Sequence, residues 1–160
     1  MTLDYREEGK VKVTMLDYID KMLVELPTDM AGRAPTPAGN HLFQVNVSGG
    51  IPLDKETSDL FHRNVAKLLF LCKQAWPDIP PPVAFLCTWV KGPDTDDYKK
   101  LARVMKYLRG SWELLLILEA NDEGSLKWWV DGAFVVHSAM KSHTGGMLSL
   151  GKGAVYTMSM

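Results

Sequence analysis

Cysteine is nearly absent from this 160-residue chain. Cys72 and Cys87 stand in separate apolar runs with no CxxC spacing, which excludes a disulfide framework and reads as buried thiols in a reducing compartment. An excess of positive charge is also missing: 18 Lys and Arg stand against 19 Asp and Glu, so no global basic field draws nucleic acid to the protein. Any such binding has to be local. No apolar run reaches the roughly 18 residues that span a bilayer, and the start, Met1-Thr2-Leu3-Asp4-Tyr5-Arg6-Glu7-Glu8, has no apolar leader segment. The expectation is a soluble, intracellular, cytoplasmic protein with no membrane partner. Histidine is sparse and scattered: His41, His62, His137 and His143 form no i, i+4 pair and no zinc spacing.

What is present suffices for a folded domain, since 46% of residues are hydrophobic. Alternation around Glu7-Glu8-Gly9-Lys10 predicts a hairpin with Lys10–Thr14 as its second arm. A lone two-stranded ribbon is marginal in water, so this hairpin reads as a cut edge that wants an upstream neighbour. Leu16, Ile19, Leu23 and Leu26 recur at helical spacing until Pro27, with Asp17, Asp20 and Lys21 on the solvated side. Residues 28 to 52 carry Pro35, Pro37, Gly39, Gly49, Gly50 and Pro52, the texture of a long loop or linker.

Three helices then follow. The first is capped by Asp54, with Phe61, Val65, Leu68, Leu69 and Cys72 as its apolar stripe. The second opens on Pro80-Pro81-Pro82, turns Val83, Leu86, Cys87 and Val90 inward, and ends at Gly92. The third is capped by Asp94 or Thr95, with Tyr98, Leu101, Met105 and Leu108 inward and Lys99, Lys100, Arg103 and Lys106 outward. After Gly110 the pattern becomes β: Leu114 to Leu118, a turn at Asn121-Asp122-Glu123-Gly124, Leu126 to Phe134, Met147 to Leu150 and Ala154 to Met158. No helix follows to cover that sheet, which leaves an apolar face open.

Most chemical candidates reduce to structure. The run Asp94-Thr95-Asp96-Asp97 suits a helix N-terminus, where carboxylates cap free N–H groups and favour the helix dipole, better than a metal site. Gly151-Lys152-Gly153 lacks the GxxxxGK[ST] frame of a phosphate loop and, like Gly145-Gly146, reads as a turn. Asp131 differs, because a carboxylate in a strand interior after Trp128-Trp129-Val130 is unfavourable unless something uses it. No acidic residue follows it, and two-metal chemistry needs several carboxylates.

Five ordered segments resemble the polyprotein of copia-type LTR retrotransposons across essentially the whole chain. Thr14-Met15-Leu16-Asp17-Tyr18-Ile19 with Thr36-Pro37 looks like the entry to the reverse transcriptase thumb. Phe61-His62-Arg63-Asn64-Val65-Ala66-Lys67-Leu68-Leu69-Phe70-Leu71 looks like that family's "YR…VGSLLYL" helix, and Pro77-Asp78-Ile79 with Val83-Ala84-Phe85-Leu86 like "RPDI…AVxxL". Tyr98 through Gly110 is similar to "A…RVLRYLKGT", the most specific of the five. Trp129-Val130-Asp131-Gly132-Ala133 with Lys141-Ser142-His143-Thr144-Gly145-Gly146 is similar to "YSDADWA…RKSTSG", the opening of the ribonuclease H domain. The chain departs from the pattern at Trp76, where the family has Arg, and at Trp89 and Trp112.

The resemblance implies an α+β chain: a helical thumb/connection-like array over residues 1–110, then an incomplete ribonuclease H-like sheet of three or four strands over residues 111–160. It places Asp131 as the first metal-binding carboxylate of ribonuclease H, a site that in a complete parent holds Mg²⁺ on about four acids. The remaining acids and the polymerase Tyr-x-Asp-Asp motif are absent from the sequence. The expected product is therefore a catalytically inactive fragment that needs no cofactor. Lys99, Lys100, Arg103, Lys106 and Arg109 are the residues expected to contact an RNA–DNA hybrid or template–primer duplex within the parent, alongside other polyprotein segments. The parent itself would work in the cytoplasm, a virus-like particle or the nucleus. The rival readings are a solvated helix face, a small nucleic-acid or protein binding module, and a relic without a selected role.

Overall fold

The computed structural model describes residues 1–45, 50–121, 124–136 and 142–160. His137, Lys141 and the Asp122-Glu123 part of the expected turn lie outside the described residues. Among the described residues, four α-helices and two small antiparallel sheets give the α+β architecture expected.

The chain opens with strands β1 (Thr2–Asp4) and β2 (Lys10–Thr14), paired with Thr2 opposite Thr14 around a turn whose Gly9 takes φ +73°. The hairpin is not a lone two-stranded ribbon. The free side of β2 pairs with β3 (Leu116–Ala120), more than a hundred residues along the chain, with Val13 opposite Leu116 and Lys10 opposite Glu119. β2 thereby becomes an inner strand, and β1 stands at the edge of the sheet among the described residues.

Helix α1 (Leu16–Val24) buries Ile19, Met22 and Leu23. Residues 28 to 45 then cross the surface with no regular element beyond a 3-10 turn at Thr28–Met30. This stretch is packed down rather than free, because Met30 is fully buried and Leu42 nearly so.

Helix α2 (Lys55–Gln74) starts where Asp54 accepts the Thr57 N–H (3.0 Å), the expected cap. Phe61, Val65, Leu68 and Cys72 line its buried face as the spacing predicts. Leu69 does not: it is exposed, and Leu71 and Asn64 are buried instead, so the buried arc is rotated to the other side of the stripe. Helix α3 (Pro80–Thr88) uses its prolines in the first turn, where their missing N–H groups cost nothing. It seats Val83, Phe85 and Leu86 in the core. Helix α4 (Thr95–Ser111) adds Leu101, Val104, Met105 and Leu108, all fully buried. Each such side chain contributes about 1.5–3 kcal/mol of apolar burial. Both cysteines are free, and burial pushes the Cys72 thiol up to about 11 and that of Cys87 upward.

Leu114 and Leu115, expected to begin the next strand, are exposed. Leu114 N–H closes a turn on Ser111 O (2.9 Å), and pairing with β2 starts only at Leu116. The second sheet runs β4 (Lys127–Ala133), β5 (His143–Ser149) and β7 (Tyr156–Ser159), in that order and antiparallel. Gly145 and Gly146 are not a turn, as expected from sequence, but lie inside β5 opposite Asp131 and Val130. A Cβ at Gly146 would fall 2.8 Å from the Met158 side chain and 3.3 Å from the Trp128 ring, so the missing side chain makes room for two bulky neighbours.

Gly151-Lys152, expected as a simple turn between two strands, forms the two-residue strand β6 on the first sheet, with Lys152 opposite Glu119. It thus joins the sheets. At Gly153 the backbone takes φ +80°, and a Cβ there would sit 2.1 Å from the Ile117 carbonyl oxygen. Gly153→Ala is therefore expected to separate β6 from β3 and to cost about 2 kcal/mol or more. Urea melts of the two proteins measure it, and equal midpoints would show that the close approach is not needed.

Candidate nucleic-acid interface

The candidate interface is built on α4. Asp94 Oδ1 accepts the N–H groups of Asp96 (2.8 Å) and Asp97 (2.9 Å), while Asp97 Oδ2 accepts the Asp94 N–H (3.1 Å). This reciprocal capping box confirms the structural reading of the acidic run. Burial, opposed by the hydrogen bond from Asp94, holds the Asp97 carboxyl above its ordinary range. The cap is clamped from outside: Thr95 N–H bonds Ile51 O (3.0 Å), Leu53 N–H bonds Pro93 O (3.1 Å), and a Cβ on Gly50 would collide with Asp94 at 1.8 Å. No group of three His, Cys, Asp or Glu residues able to hold a metal ion occurs among the described residues.

With the helix start fixed, residues 99, 103 and 106 fall on one stripe opposite the core (i, i+4, i+7). The loop over residues 33–36 lies alongside, fastened by the Ala34 N–H to Lys106 O bond (3.2 Å). Between them runs an open groove of about 570 Å³, bordered by Arg33, Tyr98, Lys99, Arg103, Lys106 and Asp29. Asp29 accepts the Tyr98 hydroxyl (3.2 Å), and burial together with that bond pushes the Tyr98 phenol up to about 12. Arg103 donates to Thr36 Oγ1 (2.8 Å), and its buried Nε has no partner among the described residues. Among those residues Arg33, Lys99, Arg103 and Lys106 form no ion pair. Four positive charges therefore border one groove with a single carboxylate beside them.

Two expected members are placed elsewhere. Lys100, expected to point outward, is only 6% exposed. Its ammonium lies 4.5 Å above the Phe85 ring and 2.9 Å from Asp96 Oδ2, and donates to Gln44 O. The reason is positional: Lys100 sits at the edge of the buried arc, where its alkyl stem can line the core while its amine finds acceptors at the boundary. Arg109 donates to Leu23 O (3.3 Å) near the end of α1, which ties the two helices together, and it does not border the groove. Arg33 was invisible to sequence reasoning, since nothing periodic marks it within a Gly- and Pro-rich loop.

Asp131 lies mid-strand on β4, exposed, with Oδ1 accepting the Gly132 N–H (3.0 Å) and Gly145 opposite. Of the unexpected tryptophans, Trp76 is buried in the core, Trp89 packs beside Phe85 at 6.4 Å, and Trp112 is partly exposed.

Comparison with known proteins places this geometry in a broader setting. Over 161 aligned residues the chain is 24% identical to a Saccharomyces cerevisiae protein named "Putative transposon Ty5-1 protein", covering 99% of this chain and 51% of that one. The similarity supports a retrotransposon origin. The chain spans about half the length of this curated relative. No protein-family model and no solved structure matches it. No helix among the described residues is long and apolar enough to cross a membrane.

The different placements of neighbouring lysines make a direct comparison possible. Lys100→Ala strips a buried cation from Asp96 and Gln44 and is expected to cost about 2 kcal/mol or more, whereas Lys99→Ala stays within about 0.5 kcal/mol of the parent. Chemical denaturation of the two variants measures the difference, and equal stabilities would contradict the buried role of Lys100.

Proposed function

We propose that the chain is the segment of a copia-type retrotransposon polyprotein that links the reverse transcriptase to its ribonuclease H domain, and that it holds duplex nucleic acid without acting on it. In this reading residues 1–110 are the thumb and connection part, and residues 111–160 are the opening strands of the ribonuclease H domain. The observation that carries the proposal is the groove along α4, where Arg33, Lys99, Arg103 and Lys106 form no ion pair among the described residues.

At about 1.5 Å rise per residue, Lys99 and Lys106 are roughly 10 Å apart along the helix, so the two amines can reach separate phosphates of one backbone. Cations so placed meet phosphates and carry no base readout, as suits an enzyme that must accept any template sequence. Lys100 has no part in this contact, and Arg109 serves the α1–α4 junction.

Asp131 would be one ligand of a Mg²⁺ pair in the complete parent. The three-stranded meander with Asp131 on its first strand supports that assignment, while a single carboxylate cannot position two metal ions. The segment alone is accordingly expected to be inert in hydrolysis and in primer extension. A second reading, an independent binding module, draws on the exposed rings of Trp112, Trp128 and Trp129, since such faces stack on unpaired bases.

Fluorescence anisotropy with a labelled RNA–DNA hybrid tests the proposal. Four phosphate contacts predict a slope of log affinity against log salt of about −3 to −4, reduced by about one for each of Lys99→Ala and Lys106→Ala. Affinity independent of salt, or unchanged in both variants, would contradict the groove as the interface. Mg²⁺-dependent cleavage abolished by Asp131→Asn would contradict the inert reading.

A further inference from the structure

Thr36 lies on the loop beside the groove, exposed and outside any helix or strand. Among the serines and threonines of the chain it alone is followed directly by proline, Pro37. A residue before proline is held to an extended backbone, which suits a segment that must lie along the cleft of a modifying enzyme. The loop runs past α4 in the opposite direction. Ala34 N–H bonds Lys106 O (3.2 Å), Thr36 Oγ1 accepts from Arg103 Nη2 (2.8 Å), and Pro37 and Ala38 border a cavity of about 210 Å³ together with Lys99. Thr36 therefore stands in the middle of the cation row, with Lys106 to one side and Lys99 to the other. Its hydroxyl donates to Ala38 O (2.9 Å), which holds Oγ1 in place for Arg103.

We infer that Thr36 is a phosphorylation site and that the cations of the groove take up its phosphoryl group, closing the groove to duplex nucleic acid. The closing rests on the groove being the nucleic-acid interface, whereas the uptake of the phosphoryl group does not. A serine/threonine kinase directed to proline would supply the group from ATP. Thr36 Oγ1 bonds to the γ-phosphorus, the bond from that phosphorus to the β–γ bridging oxygen breaks, ADP leaves, and the hydroxyl proton passes to the kinase's catalytic carboxylate.

The product carries about −1.5 to −2 charges at pH 7 and three strong acceptor oxygens. Each of these lies one bond beyond the oxygen that Arg103 already contacts. The planar guanidinium can thus exchange one hydroxyl partner for a bidentate pair with phosphate. Among the described residues Arg33, Lys99, Arg103 and Lys106 form no ion pair, so the uptake breaks none. The hydroxyl's bond to Ala38 O is lost in exchange. Attached to the loop, the group needs no diffusional encounter and competes with a backbone phosphate at high effective concentration.

Three measurements on the full chain test this. Treatment with ATP and a purified kinase directed to proline is expected to phosphorylate Thr36, as located by mass spectrometry, and a chain left unmodified there would overturn the inference. Titration of the product followed by phosphorus NMR tests the uptake without nucleic acid. Neighbouring cations favour the dianion, so the second ionisation is expected below the value of about 6 for an isolated phosphate ester, returning toward it in Arg103→Gln. A phosphate that titrates alike in the folded chain, in urea and in Arg103→Gln would overturn the uptake.

Anisotropy with the labelled RNA–DNA hybrid tests the closing. Phosphorylation is expected to weaken binding at least tenfold and to reduce the salt slope by about two, while kinase treatment of Thr36→Val changes neither. Equal affinity before and after phosphorylation would overturn the closing and leave the interface standing. An unmodified chain that binds no hybrid would overturn the interface, and the closing with it, whatever the phosphorus titration shows.

Discussion

The hydrogen bonds between Asp94 and the first turn of α4 fix the rest of this molecule's chemistry. Two N–H groups that would otherwise be orphaned bond Asp94 Oδ1, and the carboxylate of Asp97 returns the favour to the Asp94 backbone. Because the neighbouring backbone is itself tied to Ile51 and Leu53, the helix can neither slide nor rotate. Leu101, Val104, Met105 and Leu108 then have to face the core, and Lys99, Arg103 and Lys106 have to face the opposite way. A chain with net charge −1 acquires a locally basic surface through this constraint.

The same logic of closure runs through the β part. A hairpin at the start of the chain, a strand after α4 and a two-residue strand near the end share one sheet, so the ends of the chain are held in one structure around the helices. Gly153 lets the last of these approach Ile117 closely enough to pair. The second sheet is less covered. Its β7 edge meets the helical layer through Lys73, which donates to Thr157 O (3.2 Å) and lies over the Tyr156 ring, while β4 faces outward on both sides.

Local signals in the sequence were readable because they act over one or two turns. Asp54 and Asp94 as caps, Pro80-Pro81-Pro82 as a helix start and the four-residue spacing of Phe61 and Val65 all follow from hydrogen-bond and packing rules within a segment. Partners distant in sequence were not readable. Nothing in Lys10–Thr14 announces β3, and nothing in Gly145-Gly146 reveals that Met158 and Trp128 need the space there. Lys100 reads as one of a solvent-facing set until Phe85 and Gln44 close on it, and Arg33 joins the groove only because Ala34 bonds to Lys106 across the fold. Of the five cations expected to form the interface, three border the groove and two have structural partners. The family resemblance and the similarity to a transposon protein agree in general origin, and the groove adds what the chain itself offers a partner.

The most direct test of the groove is residue-level protection. Reductive methylation of lysines, read by mass spectrometry with and without an RNA–DNA hybrid, reports contact at each amine separately. The account predicts that the hybrid shields Lys99 and Lys106, leaves Lys21 unchanged, and finds Lys100 unreactive in both states. Protection spread evenly over the surface, or confined to Lys127 beside the exposed tryptophans, would contradict it.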